Sequence, residues 1–317
     1  MKKYTGIIAS VVYALLFRLL VEFHVMEINS WTYLILVPVL MGYLPFVLDK
    51  KTFIESKLKS ILFPMISVFL FLFIAFITQL EDLGCFVILL PPYALISALV
   101  SLSLRLCLKE NTGDSNTGMT KNSLIFIALP LVLGHVEKGM DKKTNAFELS
   151  EKIIIESCDQ GVWNNLFSVP DLSNDMESSI YNYVGFPNPV RSNYNDKTNT
   201  RLGYFSNGIV LHEKVIEKKD RKKLSFAIDI DQSILNKSQT FQHALRNRNL
   251  VFHAITYRLK HQSAHRTELT LSCRYQLSTN IPMYGAFWSK QIIHDFETKL
   301  LKALKRNIEK QRKDELY

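Results

Sequence analysis

The chain has 317 residues and carries 38 Lys/Arg against 29 Asp/Glu, a net charge of +9. That length predicts two structural units. The absence of a long basic block or a nucleic-acid signature sets nucleic acid aside as a partner, and four widely spaced cysteines with no C-x-x-C pair exclude a disulfide framework and a zinc site.

The two parts of the chain suit different solvents. Up to about Val136 the residues form apolar runs, with ten Lys/Arg and eight Asp/Glu before residue 136. The remainder holds 28 and 21, so +7 of the net charge lies there. Such an excess favours anionic headgroups or phosphates, although a solvated basic surface is the simpler reading.

A hydrocarbon core takes about 20 mostly apolar residues per helix. Tyr4–Val25, Trp31–Leu48, Ile61–Leu80 and Gly84–Leu108 meet that requirement. The first is not read as a cleaved signal peptide, because it lacks a small-x-small site and further apolar runs follow. Pro38, Pro45, Pro64, Pro91 and Pro92 are expected to kink these helices. Lys2, Lys3, Lys50, Lys51, Lys57, Lys59, Arg105, Lys109 and Lys121 mark the cytoplasmic loops, whereas Glu27, Glu81 and Asp82 mark the other side. The N-terminus is therefore expected inside. Arg18 and Glu22, four residues apart, are candidates for intramembrane function; an ion pair at the outer end of the first span is the simpler reading.

A fifth apolar segment, Ser123–Gly134, is short. Counted from Lys121 to Val136 it reaches roughly 24 Å. If it crosses, the rest of the chain lies outside the cytoplasm; as a re-entrant or interfacial helix it would leave that part inside. The expected organisation is a transmembrane region over 1–138 (spans about 4–25, 31–48, 61–80, 84–108 and 121–136), a linker over 139–145 and a soluble domain over 146–317.

The soluble part opens on a β-prone run ending at Ile155. Asp159 reads as an N-cap for a helix carrying Val162, Trp163, Leu166 and Phe167, which Pro170 ends. Tyr181–Pro189 reads as a loop or short edge element. Tyr204–Ile216 and Lys223–Ile230 read as strands about a charged turn at Lys218–Arg221. Leu224, Phe226, Ile228 and Ile230 alternate with smaller or polar residues. Val251–Leu259 and Thr267–Leu277 make another pair. Residues 286–312 form a long amphipathic helix through Trp288, Ile292, Phe296, Leu300 and Leu304. An antiparallel sheet curved over such a helix leaves a space for a ligand.

These residues carry a family resemblance: the opening strand Phe147–Ile155 before Gly161-Val162-Trp163, Arg201 before Tyr204-Phe205-Ser206-Asn207-Gly208, then Glu213, Leu224-Ser225-Phe226, Thr267–Tyr275, and Pro282, Tyr284 and Trp288 leading into Ile292-Ile293-His294. The soluble part resembles the SRPBCC superfamily, the START-like or Bet v 1-like helix-grip fold that includes polyketide cyclases and lipid-transfer proteins. With its apolar N-terminal part it is similar to a bacterial subgroup with a multi-span membrane region. The resemblance implies a membrane helical bundle followed by an α+β helix-grip domain in a bacterial cytoplasmic membrane. Its motifs are structural and speak to fold more than activity.

Trp163, Tyr204, Phe226, Tyr257, Tyr275 and Trp288 are expected to line an apolar cavity, with ordinary core packing as the alternative. Arg201 and Glu213 either orient a polar head in that cavity or form a surface ion pair, the simpler expectation. Among His253, His261, His265 and His294, His261 and His265 are four apart but fall in a turn, and no carboxylate completes an H-E-x-x-H; no nucleophile motif or phosphate loop is present, so neither metal nor cofactor is expected. A Cys158–Cys273 bridge is open if the domain is extracytoplasmic. The expected function is binding of a membrane lipid or other apolar small molecule. A cyclase or dehydratase using Arg201, Glu213 or His294, and a membrane interaction or self-protection protein, remain alternatives.

Overall fold

The computed structural model describes residues 4–26, 30–110, 119–140, 142–235, 240, 244–245 and 248–314. Lys2, Lys3 and Glu27 of the orientation argument lie outside these residues, as do the side chains of Lys51, Lys109 and Lys121. The chain divides into two compact units: Met1–Lys142 with Thr279–Ile281, and Lys143–Ser278 with Pro282–Tyr317.

The first unit is helical. Helix α1 (Thr5–Glu22) is followed by a π-helical turn (Thr32–Leu36) that continues into α2 (Val37–Leu48). Then come α3 (Lys50–Glu55), α4 (Lys57–Ile77), α5 (Leu83–Glu110) and α6 (Met119–Lys138). Among the described residues three helices are long and apolar enough to cross a membrane: Thr5–Glu22, Lys57–Ile77 and Leu83–Cys107. Thr32–Leu48 and Ala128–Glu137 are shorter apolar helices. At 20 residues α6 exceeds the expected segment and spans about 30 Å.

Small residues let the helices approach closely. A Cβ on Gly6 would stand 2.6 Å from the Pro45 Cα, and one on Gly42 would stand 2.3 Å from the Ser97 carbonyl oxygen. Around these contacts Phe17, Tyr33, Met41, Phe71, Leu72 and Tyr93 are wholly buried. Arg18 is buried with them. Its Nη1 donates to Glu22 Oε2 at 3.1 Å, its Nε donates to Glu81, and its Nη2 donates to the Leu80 carbonyl. The Arg18–Glu22 pair therefore forms, but its arginine sits inside the bundle and ties the α4–α5 connection to α1. At the start of the π-helical turn, the Trp31 and Thr32 N–H groups, which the helix leaves without partners, both donate to the Glu137 carboxylate of α6.

The second unit is an antiparallel sheet closed by a long helix. Its strands are β1 (Thr144–Ile155), β2 (Pro189–Asn195), β3 (Thr200–Phe205), β4 (Val210–Lys219), β5 (Lys223–Ile234), β6 (Leu250–Ser263) and β7 (Arg266–Ser278). They lie in the order β1-β7-β6-β5-β4-β3-β2, every neighbour antiparallel. Helices α7 (Asp159–Phe167) and α8 (Ile180–Tyr183) sit between β1 and β2, and α9 (Pro282–Asp314) follows β7. At 33 residues α9 is about 50 Å long, with Arg312 and Lys313 in its last turn where the helix dipole favours cations.

Period-two alternation puts Leu224, Phe226, Tyr257, Leu259, Leu269 and Leu271 on one face of the sheet. There they pack against Leu300, Leu301, Ala303, Leu304 and Ile308 of α9 and Val162, Trp163 and Leu166 of α7. Each such side chain contributes about 1.5–3 kcal/mol when fully buried. A sheet gripping a C-terminal helix in this way is a helix-grip fold.

Several expectations are corrected. Tyr204–Ile216 is two strands, because the Asn207-Gly208 turn, with Gly208 at φ 80°, folds β3 back on β4. The residues after Pro189 form a seventh, edge strand. Cys158 occupies the N-cap of α7 and Asp159 is its first helical residue, where its carboxylate accepts from Thr267 Oγ1 at 2.7 Å. The closing helix begins at Pro282, ahead of the expected start at 286, since a helix's first turn tolerates proline. Cys158 is exposed, Cys273 is buried on the core face, and both are free thiols.

Candidate functional site

Strands β3 and β4 pair so that Arg201 and Glu213 stand directly opposite each other. Both face the core and each is only 5 % exposed, which corrects the surface pairing expected from their charge. Arg201 Nε donates to Glu213 Oε2, and Nη1 donates to the Leu166 carbonyl at the end of α7 at 2.9 Å. The guanidinium lies 3.7 Å from the centroid of the Phe226 ring and 5.9 Å from that of Tyr257, a cation–π arrangement strengthened by desolvation. Gly203 makes room for the pair: a Cβ there would stand 3.2 Å from Glu213 Oε1.

Burial opposes the charge on Arg201, but the adjacent Glu213 carboxylate prevails and holds the guanidinium protonated more firmly than usual. Burial also pushes the Tyr257 phenol above its ordinary value, against the pull of Arg201. Both groups keep a fixed protonation state near neutrality, which suits orienting a polar group better than exchanging protons.

Above this pair a narrow cleft of about 50 Å³ opens between β2–β4 and α9. Its apolar walls include Val169, Leu172, Phe296 and Leu300, and its polar lining includes Arg191, Ser192, Tyr204, Tyr257, Arg201 and Glu213. Arg191 stacks over Tyr204, 4.8 Å from the ring centroid. The segment crossing this region from α7 to β2 is clasped onto α9 by Lys299. That ammonium donates to Ser179 Oγ at 3.1 Å, Asn182 Oδ1 at 2.7 Å and Asn188 Oδ1 at 2.9 Å, and it pairs with Asp295 at 2.8 Å.

The six aromatic candidates divide. Tyr204 and Tyr257 line the cleft, and Phe226 lies beneath Arg201. Trp163 is buried in the adjoining core, edge-on to Phe167. Tyr275 belongs to a separate cluster, stacked on Phe147 with its hydroxyl 3.1 Å from Ser289 Oγ. Trp288 packs edge-on to Tyr284 and Phe287. His294 is exposed and its Nδ1 meets Glu151 Oε1 at 2.8 Å, so it does not join Arg201 and Glu213. His253 faces Gln276 and His261 faces Asp159. Among the described residues no three metal-ligating side chains converge.

Sequence reasoning missed Val169, Leu172 and Arg191 as lining residues, because the strand that positions Arg191 is polar and lies at the sheet edge. It also missed Glu297 on α9. That side chain is 1 % exposed; burial pushes its pKa up to about 8 and Glu151 adds to the shift, with the Cys273 backbone N–H pulling the other way.

No family profile matches the chain, and no curated protein sequence does. Solved structures with some likeness include the aromatase/cyclase ZhuI from Streptomyces sp. R1128, at 9% identity over 53% of this chain and 96% of that one, with a TM-score of 0.35. A START superfamily protein from Mycobacterium smegmatis is 11% identical over 52% of this chain and 98% of that one, with a TM-score of 0.32. Norcoclaurine synthase from Thalictrum flavum is 9% identical over 54% and 98%, with a TM-score of 0.34. The assignment of a helix-grip fold therefore rests on the strand order and the gripping helix.

Proposed function

We propose that this chain is a membrane-anchored helix-grip protein whose C-terminal unit binds an apolar small molecule with one polar end, for sensing, carrying or sequestering. The observation that carries this reading is the buried Arg201–Glu213 pair lining a cleft with largely apolar walls. Glu213, the Leu166 carbonyl and the Tyr257 hydroxyl already engage the guanidinium. Its remaining N–H groups would take the polar end, while Leu172, Phe296 and Leu300 would flank the apolar body.

At about 50 Å³ the cleft holds a few water-sized groups. Entry of a lipid-sized molecule would then require the α7–β2 segment to lift from α9, which makes the Lys299 clasp the gate. Tethering to a membrane would keep the domain close to a pool of apolar ligand. In the membrane unit we place spans at α2 and α6 besides the three long helices. The contact of Glu137 with Trp31 and Thr32 supports this, because it sets the C-terminal end of α6 at the end of the bundle where the second apolar helix begins. With the lysine-rich loops cytoplasmic, the C-terminal unit would be extracytoplasmic.

Photo-crosslinking of the full chain with a diazirine fatty acid tests the binding site. Labelling should fall on Leu172, Phe296 and Leu300; labelling confined to α1–α6 would contradict it. A second reading follows from the small cleft. With a filled interior, the chain would act as a membrane interaction protein through exposed apolar residues such as Ile180, Tyr183, Met283 and Phe287. It predicts no labelling of the cleft.

A further inference from the structure

The face of the sheet turned away from α9 carries a second, polar hollow. Period-two alternation aims Ser225 of β5, Thr256 of β6, Ser272 of β7 and Ser150 of β1 outward. The strand register sets them in one row: Ser225 opposite Thr256, Thr256 opposite Ser272, and Ser272 opposite Ser150. Ser225 and Thr256 share a hydrogen bond of 2.9 Å, and Ser272 donates to Ser150 Oγ at 3.2 Å. Ser225, Thr256 and Ser272 are 2 %, 6 % and 3 % exposed, so the floor of the hollow is recessed. Its volume is about 200 Å³, four times that of the interior cleft.

Three cations stand around this floor. Lys223 and Arg258 are direct cross-strand neighbours, and like charges so placed repel each other. Lys223 is paired with Glu217. Arg258 donates to Ser272 Oγ at 3.1 Å and has no carboxylate within ion-pair distance among the described residues. Arg274 stands opposite Glu148 in the ladder, yet it makes no ion pair with it. Two exposed guanidiniums thus flank one hollow with no ion-pair partner among the described residues. Below them the Ser225–Thr256 pair spends one hydroxyl proton and keeps one to donate, whereas Ser272 gives its own to Ser150.

We propose that this hollow is a binding site for a phosphate oxyanion, held by Arg258 and Arg274 with the hydroxyl row of Ser225, Thr256 and Ser272 beneath it. Guanidinium forks match the geometry of phosphate oxygens and make charge-assisted hydrogen bonds to them. Lys223 also lines the hollow, where its charge is offset by its partner Glu217, a lining residue too. Glu148, which also lines the hollow, opposes binding, so both arginines are needed to outweigh it. The site lies on the opposite face of the sheet from the Arg201–Glu213 cleft and stands whether or not that cleft binds an apolar molecule. The same phosphate chemistry occurs in a lipid headgroup and in free phosphate or a phosphomonoester.

The test is calorimetric titration of the full chain, in an uncharged detergent at about 0.15 M salt so that diffuse attraction is screened, with inorganic phosphate and separately with glycerophosphoglycerol, a soluble headgroup diester. Saturable binding of either probe is expected, weakened at least tenfold in the Arg258→Gln/Arg274→Gln variant. Both positions are exposed, and an unchanged melting temperature of the variant verifies its fold. A diester that binds as tightly as phosphate identifies a lipid headgroup as the occupant, and preference for inorganic phosphate identifies a free phosphate or monoester. Failure of both probes to saturate, or equal binding by the variant, overturns the proposal.

Discussion

Arg201 and Glu213 face each other across β3 and β4 inside the domain, with the Phe226 ring under the guanidinium and the carbonyl of Leu166 at its side. The pair joins the end of α7 to strands β3 and β4, toward the β2 edge of the sheet. Removing one partner leaves an unpaired charge in a desolvated place, which typically costs about 3–5 kcal/mol, whereas replacing both by apolar residues costs far less. Glu213→Ala should therefore lower the melting temperature of the detergent-solubilised full chain sharply, and Arg201→Met/Glu213→Leu should recover most of the loss. Equal melting temperatures for the single and double variants would show that the pair is not coupled.

Glu297 gives stability a pH dependence of definite sign. Its ordinary value is 4.5 and its folded value is raised to about 8. Between these values the folded domain keeps a proton that the unfolded chain has released, so this group erodes stability as pH rises. The slope reaches at most about 1.4 kcal/mol per pH unit, and the full penalty is present above pH 8. Glu297→Gln keeps the shape and removes the titration. It should stabilise the chain at pH 8–9 and change little at pH 4–5, as thermal melts across that range will show. A stabilisation independent of pH would contradict the assignment.

The Lys299 clasp sets the mobility of the segment between α7 and β2. Lys299→Met removes the ammonium that gathers Ser179, Asn182, Asn188 and Asp295. Hydrogen exchange over residues 170–188 should accelerate at least tenfold, with little change in the protection of β6 and β7, because local opening is governed by local contacts. Uniform acceleration throughout the domain would mean that the clasp supports the whole fold.

In the helical first unit Gly42 admits no side chain. A Cβ would fall 2.3 Å from the carbonyl oxygen of Ser97, a backbone atom of α5 that cannot swing away. Gly42→Ala should force α2 and α5 apart and lower the monodisperse yield of the full chain several-fold on size-exclusion chromatography. Gly139→Ala, whose Cβ would meet only an ordinary contact at 3.5 Å, should not.

How far the sequence disclosed this structure depended on periodicity. The apolar stripe of α9 and the alternation of β5 and β7 were legible, because each buries one face along its length. Strand β2 was not: Pro189–Asn195 is largely polar and buries only Ser192, as befits an edge with one neighbour. The Asn207-Gly208 turn carried a readable signal, but the apolar residues on both sides of it mimic one continuous strand. The burial of Arg201 and Glu213 could not be read from charge, since it depends on the register of β3 against β4 and on α7 ending above them. Nor could Glu297 be distinguished from the exposed charges of α9 without knowing which residues the sheet covers.

The central claim, that the C-terminal unit holds an apolar molecule over Arg201, is tested most directly by native mass spectrometry of the full chain extracted in a mild detergent. The account predicts one discrete apolar molecule per chain, retained by the wild type and lost when Leu172→Trp fills the cleft while the melting temperature holds. A wild-type chain carrying only the random distribution of lipid and detergent adducts shared with Leu172→Trp would contradict it.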